Sequence, residues 1–302
     1  MFSEQIAINN IPDNSTVYDH LSRRFGLGNA IRPFVGRTTA LHRYKLAIAS
    51  HEQLAEACRA VIGRFGLRGF RNTADDNASP AYGSLSLTCA PGAQADPHSA
   101  TLGSDSLQGD EYYVATPEIM ARLPRQKGGY HDSYAFTQLT PAAEHGALGD
   151  LMRGFRLSLI RSRLSVIAAN RAEATLPQFG WHRDETVFHN LRINIPVWTA
   201  PEFLLEIETA RDRHAENSDT VLRRHLSEGH AWSWDTHRPH RVFAARMTDA
   251  SRCHIVVGLA PWFDYDPVER SWMPNQYFGR VHPFDLIADG LAHPAIRGGA
   301  RL

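Results

Sequence analysis

Trp181-His182-Arg183-Asp184-Glu185, followed closely by Asn190-Leu191-Arg192-Ile193-Asn194-Ile195-Pro196-Val197, is the stretch on which the fold of this chain turns. In its second half Leu191, Ile193, Ile195 and Val197 alternate with Arg192 and Asn194. A period of two puts the apolar set on one face and the polar set on the other, the pattern of a half-buried β-strand. Working outward, Leu164-Ser165-Val166-Ile167-Ala168 reads as a strand upstream. Downstream, Gly229 is a turn residue ahead of the aromatic strand His230-Ala231-Trp232-Ser233-Trp234. His240-Arg241-Val242-Phe243-Ala244-Ala245 and Arg252-Cys253-His254-Ile255-Val256-Val257-Gly258-Leu259 then form two more strands across a polar turn. His240 heads the first of these and Arg252 the second.

The chemistry-bearing residues lie on this frame. Side chains at i and i+2 of a strand share a face, so His182 and Asp184 would reach one metal ion while Arg183 points away. His240 would supply a third ligand from a distant strand. Two histidines and one carboxylate are the facial ligand set of non-haem Fe(II), which leaves three coordination positions open. A chelating co-substrate and dioxygen can fill them. The chain has 16 histidines, so the spacing alone is not specific, and His230, His237 and His254 compete as ligands. His254 shares the inward face with Arg252 and is the best candidate for a residue that supports the metal-ligating histidines from behind. His189 and His225 read as ordinary core or surface histidines. Arg241 and Arg246 are rivals of Arg252 for any anion-binding role, although Arg241 alternates away from His240 and Arg246 sits in the turn.

Taken in order, the segment from about Arg163 to Leu259 resembles the aspartyl/asparaginyl β-hydroxylase-like group of Fe(II)/2-oxoglutarate oxygenases. The resemblance rests on His182-x-Asp184, the strand Asn190 to Pro196, the Gly229 to Asp235 strand, Pro239-His240 and Arg252-Cys253-His254-Ile255-Val256-Val257. It implies that His182, Asp184 and His240 bind Fe(II) and that Arg252 clamps the far carboxylate of 2-oxoglutarate, a planar guanidinium matching a carboxylate in two-point fashion. It also implies that Arg192 lies near the co-substrate, with Asn194 where many relatives carry histidine. Asp184 makes the chain look like the branch acting on free amino acids, which includes proline cis-4-hydroxylases. Related halogenases replace this carboxylate with a small residue, so Asp184 argues against halogenation. The implied activity is hydroxylation of an unactivated C–H of an amino acid or amino-acid-derived small molecule, consuming O2 and 2-oxoglutarate and releasing succinate and carbon dioxide. Desaturation, cyclisation or epimerisation at the same metal site is the alternative, and a non-catalytic cupin-like binding module is a third reading.

Composition sets bounds. The chain has 302 residues, 43% hydrophobic and 21% charged, with Lys+Arg 32 balancing Asp+Glu 32. That suits a globular protein with an ample core. No basic stripe suggests a nucleic-acid partner. No apolar run reaches the length of a membrane span, and the N-terminal sequence lacks the pattern of a secretory signal. Cys58, Cys89 and Cys253 are few and scattered, which points to reduced thiols and a cytoplasmic setting.

The expected architecture is mainly β with flanking helices: a double-stranded β-helix, or jelly roll of cupin-like form, as a single domain over 1–302 with its core at about 160–260. Ser50-His51-Glu52-Gln53 is a capping box for a helix that carries Leu54, Cys58, Val61, Ile62 and Phe65 and ends at Gly66. A second helix is expected from Thr140-Pro141, with Leu148, Leu151, Met152, Phe155 and Leu159 as its stripe. Tyr82 to Thr88 reads as a strand that could line the substrate side. Ala90 to Asp110 reads as a long loop suited to a lid or to surface disorder, and Ala210 to Glu228 as a charged, solvated insertion with a short helix. The tail from Trp262 is expected to cover the barrel mouth or to form a homodimer contact. For a negatively charged substrate, Arg71, Arg122, Arg125 and Arg183 are candidate partners, and Tyr82, Tyr112 and Tyr113 are further pocket candidates.

Overall fold

The computed structural model describes residues 6–7, 16–37, 41–69, 82–91, 133–169, 183–209 and 221–302. In chain order the strands are β1 (Ile6–Ala7), β2 (Leu41–Leu46), β3 (Arg68–Gly69), β4 (Tyr82–Ser86), β5 (Thr88–Cys89), β6 (Gln138–Leu139), β7 (Leu159–Ile167), β8 (Leu191–Trp198), β9 (Phe203–Glu208), β10 (Val221–Arg224), β11 (His230–Trp234), β12 (His240–Ala244), β13 (Arg252–Leu259), β14 (Phe263–Asp266), β15 (Ser271–Pro274) and β16 (Ile296–Arg301). The helices are α1 (Val17–Phe25), α2 (Leu27–Ile31), α3 (His51–Phe65), α4 (Gly146–Arg153) and α5 (Pro283–Ala288).

An eight-stranded sheet runs β16-β2-β11-β8-β13-β7-β4-β3, and a three-stranded sheet runs β10-β9-β12. From β7 onward the chain passes from the large sheet to the small one and back: β8 is in the large sheet, β9 and β10 in the small, β11 in the large, β12 in the small and β13 in the large. This winding between two facing antiparallel sheets is the double-stranded β-helix.

Each sheet is built from alternation. On β13, Cys253, Ile255, Val257 and Leu259 belong to the main apolar core, as do Leu191, Ile193, Ile195 and Val197 of β8. Their face is covered by α3, which packs on β8 and α4 and contributes Leu54, Cys58 and Val61 to the same core. The opposite face carries Arg252, His254 and Val256 on β13 and Arg192 and Asn194 on β8, and it looks toward the small sheet. Two apolar clusters close the space between the sheets. One joins Trp232 and Trp234 of β11 to Leu205 and Ile207 of β9. The other joins Ile167 of β7 to Phe203 and Ala244. Both faces of β8 and β13 are therefore buried, which is why their burial is almost continuous.

Several local readings hold. Ser50 Oγ accepts from Gln53 N at 3.2 Å, and Gly66 ends α3 at φ 74°. Gly229, at φ 73°, turns the chain into β11. Others are corrected. The helix expected from Pro141 is a short 3₁₀ turn, Pro141–Glu144, followed by α4, which stops at Arg153. Leu159 of its supposed stripe instead opens β7, which begins well before the expected Leu164. In the 210–228 insertion, Val221–Arg224 form a strand, β10, paired with β9, while 210–220, where the short helix is expected, lie outside the described residues. The tail is woven into the fold: β14 and β15 form a hairpin, and β16 pairs with β2 at the edge of the large sheet. Most of the 90–110 stretch, together with Arg71, Arg122, Arg125, Tyr112 and Tyr113, lies outside the described residues. Cys58, Cys89 and Cys253 are free and buried. Among the described residues no helix is long and apolar enough to cross a membrane.

Where β7 and β13 cross, the register slips between Val256 and Gly258. A Cβ on Gly258 would meet Ile160 O at 2.7 Å, Arg161 O at 2.8 Å and Asn190 Oδ1 at 2.9 Å, two of them backbone atoms that cannot rotate away. Gly258→Ala is therefore expected to lower stability by about 2 kcal/mol through overpacking. The denaturant midpoint reads this directly, and an unchanged midpoint would show that the two strands part freely.

Candidate metal and co-substrate site

Residues 183–186, where Asp184 sits, are not part of a strand. Asp184 is therefore not placed by the i, i+2 alternation of a strand, and its loop is held in another way. Asp184 N donates to Thr236 O at 2.9 Å, and Thr236 Oγ1 donates to Glu185 O at 2.7 Å. The His237 ring approaches Asp184 O at 3.3 Å. These contacts stitch the loop to the turn ahead of β12 and bring the Asp184 carboxylate to the first residue of that strand.

That residue is His240, which is buried. On β12 it alternates with Val242 and Ala244, which pack into the inter-sheet clusters. Its Nδ1 lies 2.9 Å from Arg238 O, and its Nε2 lies 3.5 Å from Asp184 Oδ2. A backbone carbonyl that takes the Nδ1 proton leaves the Nε2 lone pair directed at the carboxylate, the tautomer a metal-ligating histidine needs. Trp234 meets the His240 ring edge-on at 5.6 Å and limits its rotation. Asp184 Oδ2 and His240 Nε2 thus converge, and the pair fits a divalent metal. His182 lies outside the described residues, and among those described no group of three His, Cys, Asp or Glu side chains forms a metal site.

Arg192 reaches the site from β8. One guanidinium nitrogen donates to Asp184 Oδ2 and the other to Glu185 Oε2 at 2.7 Å. Ser133 Oγ donates to Glu185 Oε1 at 2.6 Å. Burial pushes the Glu185 carboxyl up, but the charges of Arg192, His189 and Arg161 outweigh it and hold the group at about 2. The resemblance implies that Arg192 lies near the co-substrate, with a structural salt bridge as the alternative; in the structure it bridges two adjacent carboxylates. Asn194 is buried on the same face, in register with Val256 and Trp232.

Arg252 is buried at the head of β13, on that same inward face. Its guanidinium lies against the His254 ring, with Nε 2.9 Å from Nε2 and Nη2 2.8 Å from Nδ1. Burial, and then the Arg252 charge, hold His254 well below the usual histidine range. A neutral imidazole has one bare nitrogen, so one of the two approaches is a true hydrogen bond and the other is packing. The rivals are disposed elsewhere. Arg246 pairs with Glu202 at 2.7 Å on the surface, and Arg241 pairs with Glu206 at 2.5 Å beside Arg223. Arg183 is exposed. His225 contacts Phe203 O, His230 contacts Glu228 O, and His189 stacks on Tyr18 at 3.8 Å as a core residue.

Glu185, Ser133 and Thr236 were not anticipated. Glu185 stood in the motif, but a strand reading turned it away from Asp184, and no local signal links Ser133 or Thr236 to it.

No family model and no curated protein sequence matches the chain. Among solved structures it is similar to the non-heme alpha ketoglutarate dependent epimerase SnoN from nogalamycin biosynthesis, at 12% identity and TM-score 0.39, covering 78% of this chain and 82% of that one. It is similar to HygX from Streptomyces hygroscopicus, solved with nickel, 2-oxoglutarate and hygromycin B, at 11% identity and TM-score 0.39, covering 78% and 88%. It is also similar to a Pseudomonas putida prolyl-4-hydroxylase, at 11% identity and TM-score 0.35, covering 77% and 98%.

Two predictions follow from this geometry. Arg192→Gln removes the only guanidinium that the described contacts give Glu185 within hydrogen-bonding reach and leaves two half-buried carboxylates side by side. The expected loss is about 3 kcal/mol of stability, together with weaker divalent-metal binding. Calorimetric metal titration and chemical denaturation check both, and intact metal affinity would show that Asp184 is held by its backbone alone. The second concerns pH. Burial pushes His42, His189 and His282 down to about 4 and also lowers His254 and His293. The unfolded chain then binds more protons wherever the pH lies between about 4 and about 6.5. Stability is complete above that window and drains as pH falls through it, by at least about 2 kcal/mol between pH 7 and pH 5. A flat denaturation free energy over that range would mean these rings protonate in place.

Proposed function

We propose that this protein is an Fe(II)- and 2-oxoglutarate-dependent oxygenase that hydroxylates an unactivated C–H of an amino acid or an amino-acid-derived small molecule. The observation that carries the reading is the approach of His240 Nε2 to Asp184 Oδ2 at 3.5 Å, inside a double-stranded β-helix, with Nδ1 tied back to a carbonyl. His182, Asp184 and His240 would hold the metal. Bound iron, with 2-oxoglutarate and dioxygen, supplies the oxidising power for C–H cleavage, which these side chains lack.

The chain's own residues do the rest. Arg238 O orients His240, and Arg192 fixes the Asp184 carboxylate against rotation. Arg252 binds the far carboxylate of 2-oxoglutarate, with His254 holding the guanidinium in place. Asn194 lies between these ends and offers an amide to the co-substrate. Trp232, Trp234, Leu205 and Ile207 form a dry wall on one side, which keeps bulk water from the reacting groups. The three buried, unbridged thiols support a reducing, cytoplasmic setting.

Anaerobic titration of the metal-free protein with Fe(II) and then 2-oxoglutarate tests the reading through the weak visible absorption of the chelate. Wild type should develop the band, and Asp184→Ala and His240→Ala should not bind iron. Arg252→Ala should keep iron but bind 2-oxoglutarate at least about 30-fold more weakly, near 2 kcal/mol. If wild type binds iron and develops no band, the oxoglutarate assignment fails. If Arg252→Ala binds the co-substrate unchanged, the clamp lies elsewhere.

A further inference from the structure

Arg163 of β7 opposes Val256 of β13 and Ser86 of β4, Val256 opposes Asn194 of β8, and Asn194 opposes Trp232 of β11. Directly opposed residues of an antiparallel pair share a face. Arg163 therefore lies on the inward face, in one transverse row with Asn194 and Trp232, and it is half-buried there. The next row holds Ser84, Ser165, His254 and Pro196. Ser84, Ser86 and Ser165 are all buried, so the β4–β7 side of the inward face is a floor of small hydroxyls around a guanidinium. The β11 side, in contrast, is tryptophan and aliphatic. Arg161, two residues before Arg163, contributes its charge at Glu185, beside the candidate metal ligand.

Arg252 opposes Ile167 on β7, four residues from Arg163. At about 3.3 Å per residue the two arginines originate roughly 13 Å apart along the strand. Each projects from its own row of the same face, so the two can address separate anion positions. Arg192 is committed to Asp184 and Glu185, and Arg252 lies at the far end against His254.

We propose that Arg163 binds an anionic group of the substrate, and that the substrate is accordingly a small carboxylate-bearing molecule whose carboxylate sits on the β4–β7 side of the candidate metal site. This rests on the oxygenase reading above and adds to it the chemical class of the substrate and the residue that selects it. The amino-acid carboxylate is recognised by the fork of Arg163, and the part to be oxidised points toward Asp184 and His240. The tryptophan wall accepts the apolar remainder.

The test uses full-length protein saturated with Ni(II) and 2-oxoglutarate, with thermal shift and calorimetry as readouts. The probes are the L-amino acids, their N-acetyl derivatives and the matching primary amides. Wild type should bind at least one carboxylate, with its amide at least about 10-fold weaker. Arg163→Gln should lose that discrimination, about 30-fold in affinity, while 2-oxoglutarate affinity stays within about twofold. Arg163→Lys should recover part of the preference, which a merely structural role would not reproduce. The inference is overturned if amides bind as well as acids, if Arg163→Gln keeps the preference, or if no carboxylate of the panel binds to protein that has taken up Ni(II) and 2-oxoglutarate. A wild type that takes up neither Ni(II) nor 2-oxoglutarate overturns the oxygenase reading itself, and the substrate class falls with it.

Discussion

Two carboxylates on adjacent residues, Asp184 and Glu185, are turned toward one guanidinium, and the rest of the site depends on that arrangement. Side by side and largely out of water, they would repel each other and each would lose hydration. Arg192 offsets both losses with a single planar group, and Ser133 satisfies the outer oxygen of Glu185. Arg192 can do this because it does not sit in a loop. It belongs to β8, which is hydrogen-bonded on one side to β11 and on the other to β13, and its own carbonyl accepts from Ser233 Oγ at 2.7 Å. A candidate metal ligand carried by an irregular segment thereby takes its position from the stiffest part of the large sheet.

The same sheet resolves a second conflict. A jelly-roll interior must be closed to water and yet hold several charged groups. Here the closure and the chemistry are divided along the strands. Trp232 and Trp234 with Leu205 and Ile207 seal one side, and Ile167, Phe203 and Ala244 seal another. Polar side chains occupy the space between. The outward face of the large sheet carries none of this burden, since helices cover it with ordinary apolar packing. The candidate functional residues therefore fall on one face of β7, β8 and β13, and the residues of the fold's largest core fall on the other.

This division explains what was legible in the sequence. The strand β8 declared itself by a period of two and β11, β12 and β13 by apolar and aromatic runs set off by turns, and His240 and Arg252 fell at the strand heads assigned to them. That His254 and Arg252 share a face was readable from one strand, but the contact between the two side chains was not. The placement of Arg192 was harder. Its face was readable, but its partners were not, since a strand pattern says where a side chain points and not which distant loop meets it. Asp184 illustrates the same limit, because a segment positioned by hydrogen bonds to Thr236 carries no period of its own. The charged composition of 210–228 masked β10, whose Arg223 and Arg224 are typical of an edge strand facing solvent. The helix expected to run on to Leu159 failed for a related reason: the apolar spacing continued past Gly154 into a strand, and periodicity does not mark such a junction.

Arginine usage in this chain shows why strand face outranks sequence proximity as a guide to function. Arg241 is adjacent to His240 in sequence, but it lies on the outer side of the small sheet and binds Glu206, over the Phe243 ring. Arg163 is far from every candidate ligand in sequence, yet register places it in the row that contains Asn194. A guanidinium reaches only a few ångströms beyond its backbone, and it cannot cross the plane of a sheet. The strand from which it projects, and the face it takes, thus decide which anion it can meet. By that criterion Arg192, Arg252 and Arg163 address three different positions on one inner surface: the first is the Asp184–Glu185 carboxylate pair, and the other two are the positions proposed above for the co-substrate and for the anionic end of the substrate.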